Sequence, residues 1–61
     1  MKRHVVDKVT NGFNTLRIMQ CEHHGQVSFL IGKMGGGYVG KTKDGGYKSK
    51  ASAKAAAKNL L

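Results

Sequence analysis

The chain has 61 residues, eleven Lys and Arg against three Asp and Glu, a formal net charge of +8, and only thirteen Leu, Ile, Val and Phe residues together. A chain this short buries roughly 60% of its unfolded surface, which excludes a deep enclosed active site and predicts one small core, helped by a partner or by dimerisation. No apolar run approaches the ~18 residues of a membrane span, the Met1-Lys2-Arg3 start leads into no signal-peptide core, and the lone Cys21 excludes an internal disulfide. The expected setting is the cytoplasm, and a chain that opens on Met without a tag or linker reads as a complete small protein, a single domain over residues 1–61.

Residues 1–11 allow two readings. Val5, Val6 and Val9 fit a short helical face closed by Asn11-Gly12. They also fit a strand entering an Asn-Gly hairpin turn, and β-branched valine favours the strand. Phe13 to Glu22 reads as a strand with Leu16 and Ile18 on one face, Thr15 and Arg17 on the other. Gln26 to Lys33 reads as the next, where Val27, Phe29 and Ile31 alternate with Ser28, Leu30 and Gly32. Tyr38 to Lys43 is a third, shorter strand. Glycines at Asn11-Gly12, His24-Gly25, Gly35-Gly36-Gly37 and Asp44-Gly45-Gly46 mark the joints, and the absence of proline leaves every ladder donor available.

The C-terminal segment is the clearest helix. Ser49 is a candidate N-cap, and residues 50–61 contain no glycine and no β-branched residue. Ala53, Ala56, Ala57 and Leu60 follow the i, i+3, i+4, i+7 spacing of a buried stripe, and the small alanines imply close approach to the sheet. Lys50, Lys54 and Lys58 fall in one row, where like charges repel by a few tenths of a kcal/mol per pair. A helix this short depends on its dock. The fold class expected is α+β: an antiparallel three- or four-stranded sheet over about residues 4–43, with one C-terminal α-helix over about 50–60 packed on one face.

The charge is uneven. Residues 1–32 hold Lys2, Arg3, Lys8 and Arg17 against Asp7 and Glu22, whereas residues 33–61 hold seven lysines against Asp44 alone. A one-sided field of this kind favours a polyanion, most simply a nucleic-acid backbone. The alternative is solubility charge on an ordinary surface, which does not usually need so one-sided a balance. Lysine suits phosphate oxygens, whereas base edges are usually read by Arg, Asn and Gln. Those are few here (Arg3, Arg17, Asn14, Gln20, Gln26), so backbone-directed binding with weak sequence preference is expected. Tyr38 and Tyr47 offer stacking surfaces, although half-buried packing is the expected role for both.

Other chemistry is poorly supported. Cys21-Glu22-His23-His24, with His4 at a distance, supplies one thiol and two adjacent histidines that diverge, not the spaced pairs of a zinc site. His23 and His24 read as a turn that gains charge near pH 6. A Cys–His nucleophile would lack an oxyanion site and a cleft. Lys33-Met34-Gly35-Gly36-Gly37 has the wrong spacing for a P-loop and reads as a hairpin tip. No catalytic residue, metal or cofactor is expected.

The segment Gly45-Gly46-Tyr47-Lys48-Ser49-Lys50-Ala51-Ser52-Ala53-Lys54-Ala55-Ala56-Ala57-Lys58 resembles the last helix of double-stranded-RNA-binding domains. There a glycine-rich turn leads into Ser-Lys-Lys-x-Ala-Lys-x-x-Ala-Ala, with Ser49, Lys50, Ala53, Lys54 and Ala57 at matching positions. The resemblance implies that Lys50 and Lys54 grip phosphates across a groove. It covers about the last seventeen residues. Ala51 replaces the second lysine of the pair, residues 1–11 leave little room for the family's long first helix, and Glu22-His23-His24-Gly25 is shorter than its loop and lacks the proline. Gly46-Tyr47-Lys48-Ser49-Lys50 and Ala53 also resemble the end of the arm-type DNA-binding domain of tyrosine recombinases, and of related plant-type transcription-factor domains. Those have three strands and one C-terminal helix, and the resemblance implies that the sheet face enters the major groove.

The expected function is therefore binding of double-stranded nucleic acid, DNA or RNA, through Lys41, Lys43, Lys48, Lys50, Lys54 and Lys58, with Arg17 and Lys33 on the sheet in second place. An accessory or regulatory role in a phage or mobile element suits a basic domain of this size. The alternative is a small basic protein-interaction module that inhibits a host nucleic-acid-processing or nuclease complex by occupying an acidic protein surface, alone or as a homodimer.

Overall fold

The computed structural model describes residues 2–61, residue 44 in its backbone alone. Four strands, β1 (Lys2–Thr10), β2 (Thr15–His23), β3 (Gln26–Lys33) and β4 (Tyr38–Val39), form one antiparallel sheet in the order β1-β2-β3-β4. The helix α1 (Lys50–Leu60) follows a single 3-10 turn at Lys43–Gly45. The fold is thus α+β, with the first residues in the strand alternative.

Short-range chemistry sets the register. Asn11 Oδ1 accepts the backbone N–H groups of Phe13 and Asn14 at 3.2 and 3.0 Å, and Gly12 takes φ +97°, which closes the β1–β2 turn. The β2–β3 hairpin turns on two residues, His24 and Gly25, with φ +52° and +76°. Positive φ at both positions matches the twist of the flanking strands, and glycine supplies the second without strain. In β1 the pairing with β2 shifts between Val5 and Asp7. This bulge lets Val6 pack against the core while Asp7 and Val9 stand opposite Ile18 and Leu16, on the face that the helix covers.

The core lies between that face and α1. Ile18, Ile31, Ala53 and Ala57 are fully buried, with Val9 and Leu16 beside them. Alanine at 53 and 57 lets the helix backbone approach the two isoleucines closely, as the sequence pattern implies. Leu60 departs from the expected stripe: it is 50% exposed. Its Cδ1 lies near Gly40, just past the end of β4, and half of the side chain stays open to solvent. Leu61, whose N–H closes the helix on the Ala57 carbonyl at 3.2 Å, packs against the core instead.

The third expected strand, Tyr38 to Lys43, stops at Val39. Gly40 takes φ +74° where the chain leaves the sheet, and glycine is needed there both for that φ and because a Cβ would come within 2.6 Å of the Tyr47 hydroxyl. The chain rejoins the β3 edge at Tyr47, whose N–H and C=O exchange hydrogen bonds with Phe29 at 2.8 Å each. Gly46, just before it, has φ +85°, and a side chain would collide with Leu30 Cδ2 and the Phe29 carbonyl. Among the described residues, no helix is long and apolar enough to cross a membrane.

Candidate nucleic-acid interface

The loop between β4 and α1 carries the densest positive charge, and Tyr47 organises it. Its side chain is half-buried against the core, as expected for a packing tyrosine, and its hydroxyl accepts the Lys41 N–H at 3.0 Å. The Gly46 N–H bonds the Lys43 carbonyl at 3.1 Å. These contacts hold the backbone that presents Lys41, Lys43 and Lys48, all exposed. Ser49 then caps α1 from an extended conformation (φ −136°, ψ 155°), its Oγ accepting the Ser52 N–H at 3.1 Å. Lys50 is exposed in the first turn, which contains no acidic residue. Unsatisfied N–H groups and the helix dipole add to the positive field there.

Lys54 is placed differently. Its Nζ lies 3.0 Å from Asp7 Oδ2, joining α1 to β1. The bond to Lys54 holds the Asp7 carboxyl below its ordinary value of 3.8, assisted by the Lys8 N–H at 2.8 Å and by the charges of Lys54 and Lys50. A carboxylate beside Lys50 and Lys54 offsets the repulsion within the lysine row, so neutralising the row removes an attraction as well as a repulsion. It also leaves Lys54 less available to an external phosphate than Lys50 or Lys58.

A carboxyl with a lowered folded-state pKa contributes stability above its ordinary value, and that contribution is lost as pH falls through the folded value. Asp7→Asn is therefore expected to melt below the wild type at neutral pH, with the gap closing as pH drops below about 4. Thermal melts of the two proteins across that range test it. A gap unchanged from neutral to acidic pH would mean that the ion pair does not form in solution.

The helix-free face of the sheet carries a second group of cations. Register places Arg3, Lys8, Arg17, Met19, Cys21, Leu30 and Tyr38 on it. Arg3 Nη1 donates to the Tyr38 hydroxyl at 2.9 Å, with the guanidinium carbon 5.6 Å from the ring centroid. Arg17 is half-buried, its Nη2 donating to the Lys33 carbonyl at 3.2 Å and its Nε buried without a hydrogen-bond partner. Arg17 is thus held to the sheet, while the Lys33 side chain at the end of β3 is exposed.

The structure brings Lys41, Lys43, Lys48 and Lys50 onto one tied segment and diverts Lys54 to Asp7. It separates Arg17 and Lys33 from that segment, at the β1–β2 and β3–β4 end of the sheet. Sequence reasoning missed Asp7 as the partner of Lys54. A lone acid in a strand of valines was the available signal, but the bulge that aims it at the helix is not written in the residue pattern. It also missed the Arg3–Tyr38 contact, which spans 35 residues. Cys21 is buried, the His23 and His24 rings lie 4.0 Å apart at the hairpin turn, and no group of three His, Cys, Asp or Glu is placed to hold a metal among the described residues. The chain matches no protein-family model, no curated protein and no solved structure.

Proposed function

We propose that this protein binds double-stranded nucleic acid through lysine–phosphate contacts centred on residues 41–50. One observation carries the reading. Lys8, Lys33, Lys41, Lys43, Lys48, Lys50 and Lys58 are exposed, with no carboxylate at ion-pair distance among the described residues, and four of them lie on a segment fixed by Tyr47 and Ser49. Lysines presented on a fixed backbone release counterions from a polyanion without ordering a long loop first. A duplex is favoured over a single strand because a stacking platform needs a row of exposed aromatic rings, and Tyr38, the aromatic residue on the helix-free face, is engaged with Arg3. Weak sequence preference follows from the ties on Arg17 and Arg3, since contacts to phosphate position a protein without reading bases.

The same reading extends to an accessory or regulatory protein of the kind carried by phages and mobile elements, working in the cytoplasm. Purification offers the first test. Nucleic acid should accompany the protein at low salt, raise its absorbance at 260 nm relative to 280 nm, and leave in a high-salt wash, after which the protein should bind an added random-sequence duplex. A preparation that carries no nucleic acid and ignores DNA and RNA duplexes at low salt would assign the lysines to an acidic protein surface.

A further inference from the structure

Three large apolar side chains are left outside the core at one end of the molecule. Phe13 is 98% exposed on the β1–β2 turn, Met34 is 61% exposed on the β3–β4 turn, and Leu60 is half-exposed at the end of α1. With Leu16, Val39 and Leu61 they line a groove of about 590 Å³. Phe13 sits on a turn whose backbone Asn11 Oδ1 fixes, accepting the Phe13 and Asn14 N–H groups. Large apolar side chains gathered outward around one groove of a small basic protein mark a contact site.

Charge identifies the occupant. Lys33 is the one charged residue in the lining of the groove, and no acidic side chain lines it. Of the described acidic side chains, Asp7 holds Lys54, and Glu22 lies at the far end of β2 from Leu16. Among the described residues the groove is therefore positive, with no carboxylate in its lining. A second copy of the chain would bring another +8 to this surface, whereas an acidic segment would be drawn to it. We propose that this groove docks an acidic amphipathic segment of a partner protein, its apolar residues against Phe13, Met34 and Leu60 and a carboxylate toward Lys33. Apart from Lys33, the groove's lining is separate from the exposed lysines on which the duplex-binding reading rests, and it contains none of residues 41–50.

The probe is a short synthetic peptide with Leu at i, i+3, i+4 and i+7 and Glu at most other positions, compared with a scrambled peptide of the same composition. In amide and methyl NMR spectra the amphipathic peptide is expected to shift resonances of Phe13, Leu16, Lys33, Met34 and Leu61, and to bind roughly tenfold more tightly than the scrambled one. The variant Phe13→Ser/Met34→Ser alters only exposed turn residues, so its melting temperature and duplex affinity should match the wild type while peptide affinity falls roughly tenfold. Equal binding of both peptides, or shifts confined to the lysine segment, would overturn the proposal. So would loss of duplex binding in the double variant, which would give the groove to nucleic acid. Sedimentation showing a wild-type dimer that the variant dissociates would give it to a second copy.

Discussion

Ala57→Asp is expected to abolish cooperative folding. Ala57 is fully buried against Ile18 and Ile31, where a carboxylate finds no partner and no water. An uncompensated buried charge costs about 3–5 kcal/mol, and a domain of this length commands on the order of 3–9 kcal/mol in all. The substitution also wedges a larger side chain between helix and sheet, which adds to the cost. Leu60→Asp is the control. Leu60 is half-exposed, so its replacement should cost about 1–2 kcal/mol, part of it from a negative charge at the helix C-terminus. Circular dichroism melts separate the two. An Ala57→Asp protein that melts near the wild-type temperature would show that α1 docks through another face.

That contrast also marks how far the pattern of residues could be read. The alternation of Leu16 and Ile18 with Thr15 and Arg17, and of Phe29 and Ile31 with Leu30 and Gly32, reports the two faces of the sheet directly, because side chains in a strand alternate. Ala53 and Ala57 likewise announce the buried side of the helix, and Ser49 its cap. Leu60 lies on the same stripe yet is half-exposed, because periodicity states which side of a helix a residue occupies, not how fully its neighbours cover it. The early end of β4 at Val39 has a similar origin: glycine at 40 is compatible with a strand, and its positive φ beside the Tyr47 hydroxyl is set by the tertiary fold.

For the candidate interface, the positive charge of residues 41–50 was plain in the sequence and the structure adds its fixation by Tyr47. The lysine row was legible as a row but not as unequal. Asp7 sits more than forty positions from Lys54 in the chain, and no local rule pairs them.

The second large effect concerns binding. Changing Lys41, Lys43, Lys48 and Lys50 together to Gln is expected to weaken duplex affinity by roughly a hundred- to a thousandfold near 0.1 M salt, since each lost phosphate contact removes a counterion-release contribution. All four side chains are exposed, so the melting temperature should change little. The loss should be similar on unrelated duplex sequences. Lys54→Gln is the internal comparison: Lys54 already faces Asp7, so its loss should lower stability at neutral pH and affect binding only slightly. If Lys54→Gln weakens binding as much as the fourfold variant, the Asp7 pair opens on the nucleic acid and the helix row is the main contact.

The central claim is that exposed lysines engage the phosphates of a duplex, and the salt dependence of affinity measures this directly. With about six contacts at roughly −0.9 each, the plot of log affinity against log salt concentration should have a slope near −5 on duplex DNA, and the fourfold Gln variant should flatten it by about three to four units. A wild-type slope shallower than about −2, or a slope that the four substitutions leave unchanged, would contradict the account.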